Sequence, residues 1–418
     1  MKQKNRWLIA LSAVAIHLSI GSAYAYSVFV NPLTEKLGWE RAEVSFAFTI
    51  AIFCLGMSAA FFGPFVEKYG PRKSAFLAAS FFATGIIGAG FAVSLESLPL
   101  FYLTYGLLSG MGLGLGYISP VSTLVKWFPD RRGLATGMAV FGFGAGALIA
   151  SPIAARLITE IGIPSTFFTL GVTYLVLMSL GASYIAKPPQ GWLPKGMTEA
   201  SGAKKKITED LAQLTGKEAI KTKRFWLLWV MMFINISTGL MIISVASPMA
   251  QEKVGLTAIA AASMVGIMGL FNGAGRIGWA TLSDVIGRTR IYMIFFSIQL
   301  VAFLILPNVT NVLLFQILIF IVLTIYGGAF AVLPAFIGDI FGTKQLGAIH
   351  GLLLTSWSMA GVVGPLLVAY IRETTNSYDA TFYVFAVFLI VALFTSILIA
   401  RDIKMIRVGQ KEAFKKVS

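Results

Sequence analysis

The chain predicts an all-α membrane protein with twelve transmembrane helices in two six-helix pseudo-repeats, and three observations carry that prediction. Hydrophobic residues fill 57% of its 418 positions and charged residues 12%, about half the charged share of a soluble globular protein. Apolar runs long enough to cross a bilayer, about 17–25 residues each, recur from end to end. The two halves also echo one another at a near-constant offset, so that Glu67 aligns with Asp284 and Pro120 with Pro334.

The runs fall near 8–30, 44–66, 74–93, 98–122, 134–158 and 166–186, then near 225–250, 258–282, 290–308, 312–338, 346–371 and 379–400. Three regions follow: an N-terminal six-helix bundle over 1–186, a cytoplasmic linker over 187–224, and a C-terminal six-helix bundle with a cytoplasmic tail over 225–418. The first run follows Lys2, Lys4 and Arg6 and contains Ala23-Tyr24-Ala25, which looks like a signal-peptide cleavage site. It is too long for a signal h-region, and its loss would leave five spans in the first half. A retained helix is expected.

Lys and Arg orient the chain. An N-terminus inside places Lys68, Arg72, Lys73, Lys126, Arg131, Arg132, the linker, Arg288, Arg290, Lys344 and the tail in the cytoplasm. Only Lys36, Arg41, Arg156, Lys253 and Arg372 fall outside, and Arg276 alone lies deep within a span. The formal charge of +15 is thus loop charge facing anionic lipid, not a nucleic-acid footprint. Lys204-Lys205-Lys206 lies in the linker, which is expected to act as a tether with a short surface helix.

Cys54 is the only cysteine, and His17 and His350 are the only histidines, which leaves no disulfide framework and little for a metal centre. No phosphate-binding loop is present, since Gly216-Lys217 is followed by Glu218. No cofactor, metal or enzymatic nucleophile–base pair is expected. Gly106, Gly110, Gly112, Gly114 and Gly116 give the fourth span small-x-x-x-small pairs suited to close helix packing. Pro120, Pro152, Pro248, Pro334 and Pro365 are candidate bends. Two related halves predict a substrate site between them near mid-membrane.

Gly63-Pro64-Phe65-Val66-Glu67-Lys68-Tyr69-Gly70-Pro71-Arg72-Lys73 resembles the loop 2–3 motif of the major facilitator superfamily, G-x-x-x-D-R-x-G-R-R. Glu67 stands for its Asp and Pro71 for its first basic residue after the glycine. The second copy, around Asp284, Gly287 and Arg288, departs further. The resemblance covers the whole chain and implies the major facilitator fold. Glu67, Lys68, Arg72, Asp284 and Arg288 would then be gating residues, each acid facing a helix N-terminus, where the dipole favours negative charge.

Arg276 sits within the eighth span. A charge at mid-helix costs about 2.5–3.5 kcal/mol on insertion scales, and none of the 18 acids falls in the interior of a predicted span. An incoming anion is its expected partner; snorkelling along its own stem is the alternative. Arg binds both oxygens of a carboxylate at once. Asn272, four residues earlier on the same face, either holds the anion or packs as a helix amide.

Phe271-Asn272-Gly273-x-x-Arg276, with Ser283-Asp284-x-Ile286-Gly287-Arg288 and Trp127-Phe128-Pro129-Asp130-Arg131-Arg132-Gly133, resembles the oxalate/formate antiporter branch, a neighbour of the monocarboxylate transporters. That resemblance implies an aromatic cage around a carboxylate, carried here by Tyr24, Tyr26, Phe29, Tyr117, Phe143, Tyr326 and Phe330. Oxalate-handling relatives place a second cation, a Lys, where this chain has Trp357. One Arg and one bulky indole imply a small monocarboxylate. Animal-type carriers have an Asp at the position of Asn272, so the usual proton acceptor is replaced here. His17 is the candidate proton site, with a packing role as its alternative. His350, near the end of its span, is expected at the membrane interface.

The expected function is secondary active transport of a small monocarboxylate of the lactate, pyruvate or formate class, by alternating access and linked to protons. The protein is expected to be monomeric in a prokaryotic plasma membrane with both termini cytoplasmic, its partners being the carboxylate anion, protons and lipid. An oxalate/formate-type exchanger, a drug exporter and a non-transporting carboxylate sensor are the alternatives.

Overall fold

In the computed structural model, which describes residues 4–189, 191–194 and 210–417, the chain is helical with no strand among the described residues. Lys2 and the Lys204–Lys206 cluster lie outside them. Eleven of the described helices are long and apolar enough to cross a membrane: α1 (Arg6–Ala25), α2 (Ala42–Tyr69), α3 (Pro71–Ser94), α4 (Leu98–Trp127), α5 (Arg132–Ile161), α6 (Ile163–Tyr184), α7 (Lys223–Val254), α9 (Arg288–Asn308), α10 (Val312–Phe341), α11 (Leu346–Thr375) and α12 (Asp379–Gln410). Between α7 and α9 runs α8 (Ala258–Ile286), 29 residues long, with Asn272 and Arg276 at its middle. All twelve expected spans are therefore helices of membrane length.

Local chemistry sets their ends. Thr222, Thr257 and Asn311 each cap a helix N-terminus by accepting from a backbone N–H three residues on. Gly70 and Gly287 end α2 and α8 at φ of 82° and 97°, a backbone that L side chains rarely adopt. The next helix begins at once, at Pro71 and Arg288. This explains the acid-x-x-Gly spacing: the glycine fixes the acid within the last turn of its helix.

The chain forms two compact units, Met1–Ile207 with Leu346–Ser358, and Thr208–Gln345 with Met359–Ser418. In unit one α1 packs on α5, α2 on α4, and α3 on both α4 and α6. The glycines of α4 divide by face. Gly106, Gly110 and Gly114 sit against Ile50, Ala51 and Leu55 of α2, while Gly112 sits against Phe82 of α3. In unit two α8 packs on α10, and α12 on α7 and α9. Helix α11 turns at Leu354, whose N–H bonds back to His350 O at 3.0 Å and Gly351 O at 3.1 Å.

The two described ends of the linker are bonded to the helices beside them. Lys187 Nζ donates to Glu67 O at 2.9 Å, and Trp127 Nε1 to Ala186 O at 2.7 Å. At its far end Leu211 N and Leu214 N donate to Asp339 O and Phe341 O at 2.9 and 2.8 Å. Gly216–Ile220 forms the expected short helix, closed by a Thr215–Glu218 capping box. Those bonds lower the Glu218 carboxyl below its usual range.

The α8–α10 contact depends on absent side chains. A Cβ at Gly275 would overlap Thr324 O, and one at Gly327 would overlap Asn272 O. Gly275→Val is expected to cost about 1–3 kcal/mol through overpacking, measured as a lowered melting temperature of the purified protein in detergent.

Candidate functional site

Helix α8 carries the buried charge of unit two. Arg276 is wholly buried, and its Nε donates to Asn272 Oδ1 at 3.2 Å. The guanidinium carbon stands 5.9 Å from the centre of the Phe330 ring, within cation–π reach. Phe330 in turn meets Tyr326 edge-on at 5.4 Å. Glycines shape this corner: Gly327 lies beneath Asn272 and the Arg276 stem, and Gly239 of α7 receives the Tyr326 ring. Arg276, Asn272, Tyr326 and Phe330 thus come together. Asn272, singled out as an anion ligand or packing amide, also orients the guanidinium. The snorkelling alternative is not what the side chain does here, since Arg276 turns its Nε back along its own helix to Asn272.

Unit one gathers a second aromatic group. Phe143 lies 5.0 Å from Tyr24, 5.5 Å from Tyr117 and 5.8 Å from Trp357. Trp357 meets Tyr117 edge-on at 5.6 Å. His17 stacks on Tyr117 at 5.2 Å. Its Nδ1 lies 2.6 Å from Ala139 O and its Nε2 3.1 Å from Tyr117 O, so the ring ties α1 to α5 and α4. His350, expected at the membrane interface, is instead wholly buried with its ring 5.7 Å from that of Tyr117. Its place near the helix end misled the sequence reading, because the first turns of α11 are covered by α2 and α4.

Tyr26 and Phe29 stand apart from this group. Tyr26 donates its hydroxyl to Val44 O and stacks near Tyr105 at 4.6 Å, while Phe29 stacks on Phe167 at 4.4 Å. Together they line a separate small cavity inside unit one. The reason is helical phase. Over Ser22–Ala25 the helix tightens to about three residues per turn, so Tyr24 and Tyr26 diverge although each reaches Phe48, whereas Phe29, three residues on, follows Tyr26.

At the end of α2, Glu67 Oε1 accepts from the backbone N–H of Gly347 at 2.8 Å, in the first turn of α11, and Oε2 pairs with Lys126 at 3.1 Å. An acid at a helix N-terminus is favoured by the dipole. Lys68 lies over the Tyr69 ring at 5.2 Å. Arg72 stands near Lys4 and, after burial, is the second cause lowering that ammonium below its usual value. In unit two, Arg288 pairs with Asp284 and, at 3.2 Å, with Asp339. Sequence reasoning missed Lys126 and Asp339 as members of these networks. Their signal was positional: each lies in the last turn of the helix that holds the repeated Pro, Lys126 six residues after Pro120 and Asp339 five after Pro334.

The family model of the Major Facilitator Superfamily matches residues 12–323 and 237–416. The chain is 30% identical to the oxalate:formate antiporter of Oxalobacter formigenes, over 98% of this chain and 96% of that one. It is 25% identical to monocarboxylate transporter 13 of Rattus norvegicus, over 92% and 86% of the two chains. Among solved structures it resembles a proton:xylose symporter with a TM-score of 0.72 at 16% identity, covering 93% of this chain and 94% of that one, a likeness of fold.

Arg288 and Asp339 are almost fully covered, at 8% and 9% side-chain exposure. Asp339→Asn should therefore cost about 1.5–3 kcal/mol, the range for a hydrogen bond to a charged group. A thermal melt of the purified variant checks this, and Arg288→Met should lose at least as much.

Proposed function

The chain belongs to the major facilitator superfamily and is a multi-pass membrane transporter, and we propose that it carries small monocarboxylates of the lactate, pyruvate or formate class. The carrier works by alternating access in a prokaryotic plasma membrane, with both termini cytoplasmic and a proton accompanying the anion. The observation that carries this reading is Arg276, a guanidinium wholly buried at mid-length of a membrane-length helix. Charge at that depth is expensive and marks function.

Arg276 offers a planar fork to a carboxylate. Asn272 fixes its direction, and Phe330 and Tyr326 set an apolar wall carrying a hydroxyl beside it. In unit one Tyr117, Phe143 and Trp357 form an edge-to-face aromatic group that suits a small organic anion. Trp357 stands where the resemblance to oxalate-handling carriers would put a Lys. One cation matches one negative charge, which favours monocarboxylates over oxalate. Anion exchange of the oxalate/formate kind is the second reading, and the 30% identity to the oxalate:formate antiporter supports it.

The deciding experiment is uptake of labelled lactate into proteoliposomes with and without an inward proton gradient. Gradient-stimulated uptake supports a proton-linked carrier. Uptake only into vesicles preloaded with lactate, formate or oxalate supports the exchanger. Arg276→Gln should insert normally yet lose about 2–5 kcal/mol of anion binding, at least about thirtyfold in Kd; unchanged affinity would remove Arg276 from the site. Trp357→Lys is expected to move preference towards dicarboxylates, measured by competition between oxalate and lactate for uptake.

A further inference from the structure

We propose that His350 is a proton-binding site of the transport cycle, which takes up a proton as a carboxylate arrives and returns it as the anion leaves. This rests on the carboxylate reading above and assigns its proton to a residue that the sequence reading set aside.

The two histidines differ in what surrounds them. His17 has a backbone carbonyl at each ring nitrogen, to one of which a neutral imidazole donates and to both an imidazolium, and in either form a ligand could reach it only by breaking helix-to-helix contacts. His350 is equally buried, yet neither of its ring nitrogens has a hydrogen-bond partner among the described residues. A neutral imidazole carries one donor and one acceptor, and burying both without partners is costly. A ligand that comes and goes with transport would complete it.

Its surroundings set the chemistry. Helices α2 and α4 cover the first turns of α11. From α2 come Cys54, which lies over Gly110, Glu67, already engaged by Gly347 N and Lys126 Nζ, and Lys68 and Tyr69, which face each other. From α4 come Tyr117 and Lys126, and His17 stacks against the Tyr117 ring. The ring that faces His350 is Tyr117, an aromatic surface. An isolated imidazolium is disfavoured in dry aromatic surroundings, and a carboxylate brought beside it supplies the counter-charge. Proton and anion then each raise the affinity for the other. The proton is taken from water on the side where the anion enters; on release the imidazole returns to its neutral form and the proton passes to water on the far side.

The test is the pH dependence of lactate binding to the purified full-length protein in detergent, by calorimetry, with proton uptake followed in parallel by a pH indicator in weak buffer. In the wild type, lactate affinity should rise towards about tenfold for each unit of falling pH, with protons taken up on binding. His350→Gln and His350→Asn should lose both the slope and the uptake, whatever affinity remains. A slope retained in either variant overturns the proposal, as does wild-type binding without proton uptake, which leaves the carboxylate reading standing. Wild-type protein that binds none of lactate, pyruvate and formate overturns that reading, and this one with it. Should both His350 variants fail to fold, His17→Gln removes the other histidine: a slope retained there supports His350, and a slope lost overturns it.

Discussion

The fold answers to one constraint: hydrocarbon offers no water, so every buried polar group must find its partner inside the protein. The backbone meets this by helix formation along its described length. Hydroxyls meet it by turning back on their own helix, as Ser12 does to Leu8 O, Ser74 to Gly70 O and Thr238 to Ile234 O. Charges meet it by gathering at helix ends, where Glu67, Lys126, Arg288 and Asp339 neutralise one another. Arg276 and His350 are two of the buried side chains at which this rule is strained, one a cation held at mid-helix, the other an imidazole with no hydrogen-bond partner among the described residues.

The internal repeat shows how that constraint is met twice with different chemistry. Glu67 and Asp284 occupy matching places, each fixed in the last turn of its helix by a glycine at positive φ. At the end of the fourth helix of each half the sign reverses, with Lys126 in one and Asp339 in the other. In unit one Glu67 and Lys126 therefore make an acid–base pair. Unit two needs a cation between two acids, and Arg288 at the start of α9 supplies it. The repeat has kept the pairing and let the identities change, which is why a motif stated in residue types matches the second half poorly.

Much of this was legible in the sequence because its signals are local. Run length and apolarity gave twelve helices, and acid-x-x-Gly gave the helix ends. The fall of Lys and Arg gave an expected orientation. Arg276 and Asn272 were placed on one face by a spacing of four, and they do bond. What failed was whatever depends on phase or on a distant neighbour. Tyr24 and Tyr26 look equivalent in sequence but point apart where α1 tightens over Ser22–Ala25. His350 looked peripheral because the covering of α11 by α2 and α4 is written in glycine and alanine contacts such as Gly63 against Ala348 and Gly351 against Ala59, which carry no pattern until the partner helix is known. The bonds from Lys187, Trp127, Leu211 and Leu214 at the described ends of the linker all end on backbone carbonyls, which leave no mark in composition.

Those small residues are also what places the chemistry. Within a membrane, helices gain little from burying apolar surface against one another, and close packing has to supply the association. Tyr326 is aimed by the space that Gly239 leaves, and the Arg276 stem by the space at Gly327. Neither glycine offers a side-chain polar atom to a ligand. Enlarging either would shift a functional group by a few tenths of an ångström or more while leaving every donor and acceptor in the sequence. In the proposed carrier, residues that never touch the anion can therefore change what is held, so that Gly239 and Gly327 would bear on selectivity as much as Arg276.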